Sequence, residues 1–160
     1  MIARKLNVGC GTDYRMGWIN LDFNKKFKAD VYYDLNNIYS GRRLPFKDNY
    51  FNLIILYDVL EHFPEPLSIL RELYRICKKG GIIEIKVPNG SWVWDNLDHK
   101  HQFFINSFNV INFDDYCSGG EKKVELIYKK LYVLPSKNLL FKIIRFFFKN
   151  NAYVKYRKVV

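Results

Sequence analysis

The chain lacks the cysteine pattern of a disulfide or zinc framework, because its three cysteines are odd in number and far apart: Cys10, Cys77 and Cys117. It also lacks any apolar run of the roughly 20 residues that cross a bilayer. The amino terminus reaches Gly9-Cys10-Gly11 before the apolar core of a signal peptide could form. Together these absences favour a protein of the cytoplasm, where cysteines stay reduced.

Acidic residues are scarce in only one part of the chain. The 160 residues carry 26 Lys plus Arg against 16 Asp plus Glu, which gives a net charge of +10. Residues 122–160 hold 11 of the basic residues and one acidic residue, Glu125, so the whole excess lies there. A basic segment of this kind can attract phosphates, anionic lipid or nucleic acid, or can be a plain solvated surface. The composition therefore leaves peripheral membrane contact and nucleic-acid binding open.

Apolar residues are plentiful and are arranged in short runs. They make up 49% of the chain, enough for the core of a single domain over residues 1–160. Runs typical of β-strands alternate with helical or loop segments, and the fourth run is apolar almost throughout, as in a strand covered on both faces. The predicted strands are Lys5–Val8, Trp18–Leu21, Ala29–Tyr33, Phe51–Tyr57 and Gly81–Val87.

The clearest helix pattern lies between the fourth and fifth predicted strands. Pro66 suits the first helical position, and apolar residues then recur at three- and four-residue spacing as far as Cys77. Gly80 is predicted to end the helix as its left-handed residue. Strand, helix and strand in series predict a parallel crossover, and several crossovers predict an α/β fold: a Rossmann-like doubly wound sheet that is mostly parallel.

The last third of the chain has a different pattern. Val124–Leu134 is a long strand candidate, and Ala152–Val160 alternates as an edge strand would. These two segments are predicted to form an antiparallel C-terminal pair. Between them, Asn138–Lys149 predicts a short and very apolar helix.

Residues suited to a ligand follow the first three predicted strands, whose ends meet at one edge of a doubly wound sheet. Gly9 and Gly11 let backbone N–H groups approach a ligand closely. Asp22 can accept hydrogen bonds from both hydroxyls of a ribose, and Asp34 can accept one from an exocyclic amine. Tyr14 stands where a dinucleotide site needs its third glycine, and no Gly-Lys-Ser/Thr follows as in a phosphate-binding loop. These residues favour a nucleoside ligand without phosphates.

Five segments, in order along the chain, resemble the class I S-adenosylmethionine-dependent methyltransferases, and most closely the small branch with a methyltransferase-11-like domain. They cover about residues 4–90. The segments are LNVGCGTD (Leu6–Asp13), GWINLDF (Gly17–Phe23), DVYYDL (Asp30–Leu35), LPFKDNYFNLIILYDVLEHF (Leu44–Phe63) and LRELYRICKKGGIIEIKVPN (Leu70–Asn89). The resemblance implies an enzyme with S-adenosylmethionine as cofactor and S-adenosylhomocysteine as product.

The resemblance also implies where the cofactor lies. The glycine loop would lie under its methionine part, Asp22 would bind the ribose diol, and Phe23 would lie beside the adenine. Tyr57, at the end of the fourth strand, would border the methyl-transfer site. The full set of implied cofactor-binding residues is Asn7, Gly9, Cys10, Gly11, Asp22, Phe23, Asp34, Leu35 and Tyr57. The short stretch from Gly11 to Asp22 implies that the first helix of the family is missing or reduced to a turn.

On this basis the single domain divides into three parts: a cofactor-binding core over residues 1–90, an acceptor-side cap over 91–121, and basic strands and helix over 122–160. The reaction implied is direct displacement of a methyl group onto an oxygen or nitrogen of a small-molecule or glycan-type acceptor. His99 and His101 are the first candidate bases, since imidazole titrates near neutral pH, and His62, Glu61 and Asp58 follow them. The His-x-His pair has no evident third ligand, so no metal site is predicted.

Two alternatives stay open. Residues 122–160 would suit an RNA or protein substrate. However, the chain has Asp58-Val59-Leu60-Glu61 where base-amine methyltransferases of the family carry Asn/Asp-Pro-Pro-aromatic, so nucleic acid is not favoured. The other alternative is a non-catalytic partner subunit that keeps the cofactor fold. The sequence does not indicate an oligomeric state.

Overall fold

The five strands that the sequence predicts in its first 90 residues form the parallel part of the sheet. In the computed structural model, which describes residues 4–89, 96–104, 106–108, 124–133 and 150–158, their order across the sheet is third, second, first, fourth, fifth. All four contacts between neighbouring strands in this part are parallel. The bounds are Lys5–Val8 (β1), Ile19–Asp22 (β2), Val31–Tyr32 (β3), Phe51–Tyr57 (β4) and Cys77–Asn89 (β5).

The core lies on the face of the sheet that bears alternate residues of the central strands. Leu6 pairs with Ile54 and Val8 with Leu56, and all four side chains are fully buried. One α-helix, Pro66–Ile76 (α1), adds its apolar face to the same cluster. The buried residues of α1 recur at three- and four-residue spacing, as one face of a helix requires: Ile69, Leu70, Leu73 and Ile76.

The helix ends earlier than predicted. The sequence favoured Gly80 as the left-handed cap, but Cys77 already has an extended backbone (φ −74°, ψ 136°) and pairs with Phe51 as the first residue of β5. Gly80 does have a positive φ of 74°. It uses that conformation inside β5, at an irregularity between the Phe51 and Leu53 pairings, because positive-φ glycines serve bulges as well as helix ends.

Two long strands, Val124–Val133 (β6) and Asn150–Lys158 (β7), form the predicted antiparallel pair. The prediction that the last strand is an edge strand is wrong. β7 lies between β5 and β6 and is antiparallel to both, so β6 occupies the edge. Alternation of polar and apolar residues marks a strand with one polar face, and such a strand can have neighbours on both sides.

Two other predictions concern residues that the structure largely does not describe. The helix over Asn138–Lys149 and most of the cap over residues 91–121 lie outside the described residues. Within the described part, no helix is long and apolar enough to cross a membrane.

Lys158, at the end of β7, ties this strand to the helical side of the domain. Its Nζ donates to Asn49 Oδ1 at 2.8 Å, Tyr74 O at 3.2 Å and Cys77 O at 3.1 Å, and the residue is only 6% exposed. We expect Lys158→Ala to lower the free energy of unfolding by roughly 2–3 kcal/mol, because buried acceptors lose their donor. Urea unfolding measures this loss. The exposed Lys79→Ala is the control, and an equal loss in both variants would contradict the anchoring role.

Candidate functional site

A cavity of about 230 Å³ opens at the carboxyl ends of β1, β2 and β4. This is the edge where ligands bind in doubly wound sheets. The cavity is mostly apolar, with two carboxylates and one imidazole on its wall. The lining residues are Gly9, Leu21, Asp22, Phe23, Phe27, Tyr33, Leu35, Asp58, Val59, His62 and Phe63.

Gly9 is required by both its conformation and its surroundings. Its φ is +65°, which favours glycine. A Cβ at this position would stand 2.4 Å from Val59 Cγ2, well inside van der Waals contact. The backbone therefore passes directly against the side chain that follows β4, and the Gly9 N–H donates to Leu21 O at 2.8 Å. This packing brings the first loop and the end of β4 to the same side of the cavity.

Asp22 is the buried carboxylate of the site, at 5% exposure. Its Oδ2 accepts from the Gly11 N–H at 2.7 Å and its Oδ1 from the Asn24 N–H at 2.8 Å. A carboxylate offers about four lone-pair sites, so two are left that can accept from a pair of neighbouring hydroxyls. These two remaining acceptor sites thus fit the hydroxyl donors of the ribose diol of S-adenosylmethionine.

Aromatic side chains surround this carboxylate. Phe23 lines the cavity yet is 67% exposed, so one face of its ring is open to a ligand. Phe27 and Tyr33 line the same region together with buried Leu35. A flat heteroaromatic base can pack between such groups. The chemistry of the wall is therefore that of a nucleoside site.

The loop between Gly11 and β2 has no helix, as the short spacing predicted: its residues form turns, a bend and irregular backbone. Buried Asn20 supports it, accepting from the Arg15 N–H at 2.9 Å and donating to Arg15 O at 3.0 Å. Asn7 is also buried and donates to Asp13 O at 2.7 Å. Asn7 therefore supports the loop from below and is not part of the cavity wall.

Three other predicted cofactor residues also lie off the cavity wall. Cys10 is buried with its thiol 3.6 Å from Lys28 O, and burial, followed by the charge of Asp22, raises the pKa of that thiol. Asp34 is exposed and caps a 3-10 helix, Leu35–Ser40, by accepting from the Asn36 N–H at 2.9 Å. The Tyr57 hydroxyl donates to the carboxylate of Glu84. The cavity thus brings together Gly9, Asp22, Phe23 and Leu35 of the predicted set, and Gly11 adjoins it through Asp22.

Asp58, directly after β4, holds an unusual backbone conformation on the cavity wall. Its φ is 54°, rare for a residue with a side chain. The conformation is fixed by its N–H, which donates to Lys86 O at 2.8 Å, and by its carboxylate, which lies 2.6 Å from Lys86 Nζ. Such strain occurs most often at functional positions.

The candidate bases occupy different positions relative to the cavity. His62 lines the cavity, and the ring of His99 lies 4.9 Å from it, centroid to centroid. His101 turns away, with Nε2 2.8 Å from Pro64 O. Glu61, in the 3-10 turn Leu60–His62, is 1% exposed, and burial, together with the charge of Asp58, raises the pKa of its carboxyl to about 8.

Sequence reasoning missed the contacts that depend on tertiary structure. Nothing local indicates that Val59 closes against Gly9, or that Phe27, Tyr33 and Phe63 complete the wall. Aromatic residues near strand ends are the only signal, and they fit the core equally well. The approach of His99 to His62, 37 positions apart in the chain, likewise required the structure.

Comparisons with known proteins agree with this geometry. A family model described as "Methyltransferase domain" matches residues 6–85, half of the chain. An uncharacterized protein of Methanocaldococcus jannaschii is 31% identical over 150 residues, covering 86% of this chain and 61% of the relative. A malonyl-[acyl-carrier protein] O-methyltransferase of a Marinomonas species is 24% identical over 127 residues, covering 63% of this chain and 47% of the relative. The chain thus spans 61% and 47% of the lengths of these two relatives.

A solved structure supports the fold. The S-adenosylmethionine-dependent methyltransferase from Archaeoglobus fulgidus has a TM-score of 0.66 with this chain at 16% identity, covering 98% of this chain and 86% of the other. At that identity the likeness concerns the fold, while the family model concerns the sequence. Together with the glycine loop and Asp22, they show that the chain belongs to the methyltransferase domain family of class I S-adenosylmethionine-dependent enzymes.

Proposed function

We propose that this chain transfers a methyl group from S-adenosylmethionine to an oxygen or nitrogen atom of a small-molecule or glycan-type acceptor. The observation that carries the proposal is the cavity at the strand ends, where the wall bears Gly9, buried Asp22 and the open ring of Phe23. The Marinomonas relative, an O-methyltransferase by name, supports an oxygen acceptor.

The residues on the wall suit the nucleoside half of the cofactor. Asp22 would accept from the ribose hydroxyls, and Phe23 would pack against the adenine. The volume of about 230 Å³ is below the roughly 300–1,000 Å³ of complete ligand pockets, so the cavity suits part of the cofactor. When bound, the cofactor supplies a methyl group already activated by its sulfonium.

The chain has to align the acceptor and exclude water. Positioning of this kind can supply roughly 7–11 kcal/mol in favourable cases. The groups suited to this role follow β4 in the chain. They are Asp58, Val59 and His62, which line the cavity together with Phe23 from the end of β2. Of the two histidines first predicted as bases, His99 has its ring next to that of His62, whereas His101 contacts Pro64.

Binding of the cofactor tests the proposal directly. We expect calorimetry to show that the wild type binds S-adenosylmethionine and its product S-adenosylhomocysteine. Asp22→Ala is expected to weaken that binding tenfold or more, a loss of about 1.4 kcal/mol, because the diol loses its acceptor. Asp22→Asn tests the same point with the shape kept, since an amide presents one acceptor oxygen instead of two.

The matched control is Asp48→Ala. Asp48 is an exposed acid near the amino end of β4, whereas the cavity lies at the carboxyl end of that strand. Its loss should therefore leave cofactor affinity unchanged. A folded wild type that binds neither ligand would overturn the proposal and favour a non-catalytic subunit. A wild type that binds both would justify a screen of acceptors with a labelled methyl group.

Nucleic-acid, protein and membrane contacts through residues 122–160 stay predictions, as do the division into three parts and the cytoplasmic location. Most side chains of that segment lie outside the described residues.

A further inference from the structure

Three side chains with metal-binding atoms converge beside the cavity. Glu61, His62 and His99 each offer one ligand atom, and these three atoms all lie within 4.8 Å of one another. The candidate ligands next to His99 are therefore Glu61 and His62 in the turn after β4, and not His101 of the His-x-His pair. This cluster involves residues from two segments that are far apart in the sequence.

Backbone hydrogen bonds hold the two segments together, and the His101 imidazole adds one contact, with Nε2 2.8 Å from Pro64 O. The N–H groups of Lys100 and His101 both donate to Glu61 O, at 2.7 and 3.2 Å. On the outer side, Asn96 Nδ2 lies 3.3 Å from His99 Nε2. The position of His99 next to His62 is thus built into the fold.

Glu61 supplies an independent observation. It is 1% exposed, and among the residues that the structure describes its buried Oε2 has no hydrogen-bond partner. A buried carboxylate oxygen normally has a partner, because leaving one unpaired is costly. Lys86, whose charge acts on Glu61, forms its ion pair with another carboxylate, since its Nζ lies 2.6 Å from Asp58 Oδ2. A bound cation would satisfy this oxygen.

We propose that Glu61, His62 and His99 bind one divalent transition-metal ion of the zinc class. Two imidazoles and one carboxylate suit such an ion, whereas magnesium and calcium prefer oxygen ligands throughout. Metal–ligand bonds of about 2.0–2.2 Å can be formed by ligand atoms that already lie within 4.8 Å of one another.

Three protein ligands leave at least one coordination position open, as in catalytic sites and unlike closed structural ones. His62 belongs to both the cluster and the cavity wall, so the open position lies next to the cofactor cavity. A metal there would bind and polarise an oxygen of the acceptor. This last step rests on the proposed function and narrows the acceptor to hydroxyl- or carboxylate-bearing molecules, whereas the metal site itself does not depend on it.

Zinc binding to the full chain, stripped of metal beforehand, tests the site. We expect calorimetry to show one Zn²⁺ per chain, and Co²⁺ to give the visible absorption of a nitrogen- and oxygen-ligated ion. His99→Ala should weaken Zn²⁺ binding by tenfold or more, since it removes one of three ligands. His101→Ala is the matched control, because it removes an imidazole two positions away that is outside the cluster, and Zn²⁺ affinity should stay within about twofold.

Equal Zn²⁺ affinity in the wild type and His99→Ala would overturn the site, as would an equal loss in His101→Ala. Glu61→Gln provides a second variant, which keeps the shape of the side chain but cannot release a proton to become a carboxylate ligand, and it too should weaken binding. Circular dichroism confirms that each variant is folded. Separate titrations with Zn²⁺ and with S-adenosylmethionine distinguish the two proposals. A chain that binds the cofactor but no Zn²⁺ refutes only the metal site, and a chain that binds Zn²⁺ but no cofactor refutes only the proposed function.

Discussion

Replacing Arg75 by methionine is expected to lower the free energy of unfolding by roughly 3–5 kcal/mol, the range for breaking a buried ion pair. The guanidinium joins α1 to the segment before β4. It donates to both carboxylate oxygens of Glu72 at 2.9 and 2.8 Å, and to Phe46 O and Leu44 O at 2.9 and 3.1 Å. Arg75 and Glu72 side chains are each only 14% exposed. Arg75 also donates to the exposed Asp48 Oδ1 at 2.6 Å. Methionine keeps most of the packing but leaves both carboxylates and the two carbonyls without their donor.

Arg75→Lys should lose most of the same free energy, because an ammonium cannot reproduce the planar, bidentate contact with Glu72. The exposed Arg71→Met, one turn earlier on α1, should change stability by about 0.5 kcal/mol or less. Chemical unfolding of the three variants at constant salt measures these differences. A loss in Arg75→Met no larger than in Arg71→Met would show that the network adds nothing beyond surface charge.

The second large effect is a fall in stability as the pH rises, caused by Glu61. Burial, with the charge of Asp58 in addition, raises the pKa of this carboxyl to about 8 in the folded chain, against 4.5 for an ordinary glutamate. Between these values the folded chain holds a proton that the unfolded chain has released, so raising the pH favours unfolding. At about 1.4 kcal/mol per pH unit, stability should fall by up to roughly 4 kcal/mol from about pH 5 to about pH 8.

Urea unfolding at several pH values in the presence of a chelator measures this slope. Glu61→Gln cannot ionise, so its stability should vary much less over the same range. All other ionisable groups are common to both chains, so the difference between the chains isolates Glu61. Glu65→Gln, an exposed glutamate four positions later, should keep the wild-type slope. Parallel profiles for wild type and Glu61→Gln would contradict the buried, protonated carboxyl.

The parallel strands could be predicted because their signals are local. Each apolar run ends at a glycine, an aspartate or a proline, and each pairs with neighbours that the crossover rule allows. Gly80 shows the limit of such signals. A positive-φ glycine after a helical pattern fits a helix cap and a bulge equally well, and the pairing of Cys77 with Phe51 decided between them. The position of β7 between β5 and β6 likewise depends on contacts distant in sequence.

The candidate site likewise has residues that the sequence predicts and contacts that it does not. Gly9 and Asp22 follow from their places at strand ends, where any ligand of such a sheet must meet them. The reason that residue 9 has to be glycine is the side chain of Val59, and no local pattern contains that contact. Both its place at a strand end and the resemblance predict that Asp34 binds the ligand, and in the structure its carboxylate caps the helix Leu35–Ser40. An aspartate before a helix serves capping as readily as binding, so sequence alone does not separate the two roles.

The place of β7 constrains how the chain can fold during its synthesis. Ribosomes make β5 and β6 before β7, which must then enter between them. At about 5–20 residues per second, the stretch from Asn89 to Lys158 takes on the order of several seconds to emerge. Throughout that interval the edge of β5 has no strand beside it, and exposed strand edges are where nascent chains aggregate. The sheet is therefore completed only after β7 is made, and until then the β5 edge is open to pairing with other chains.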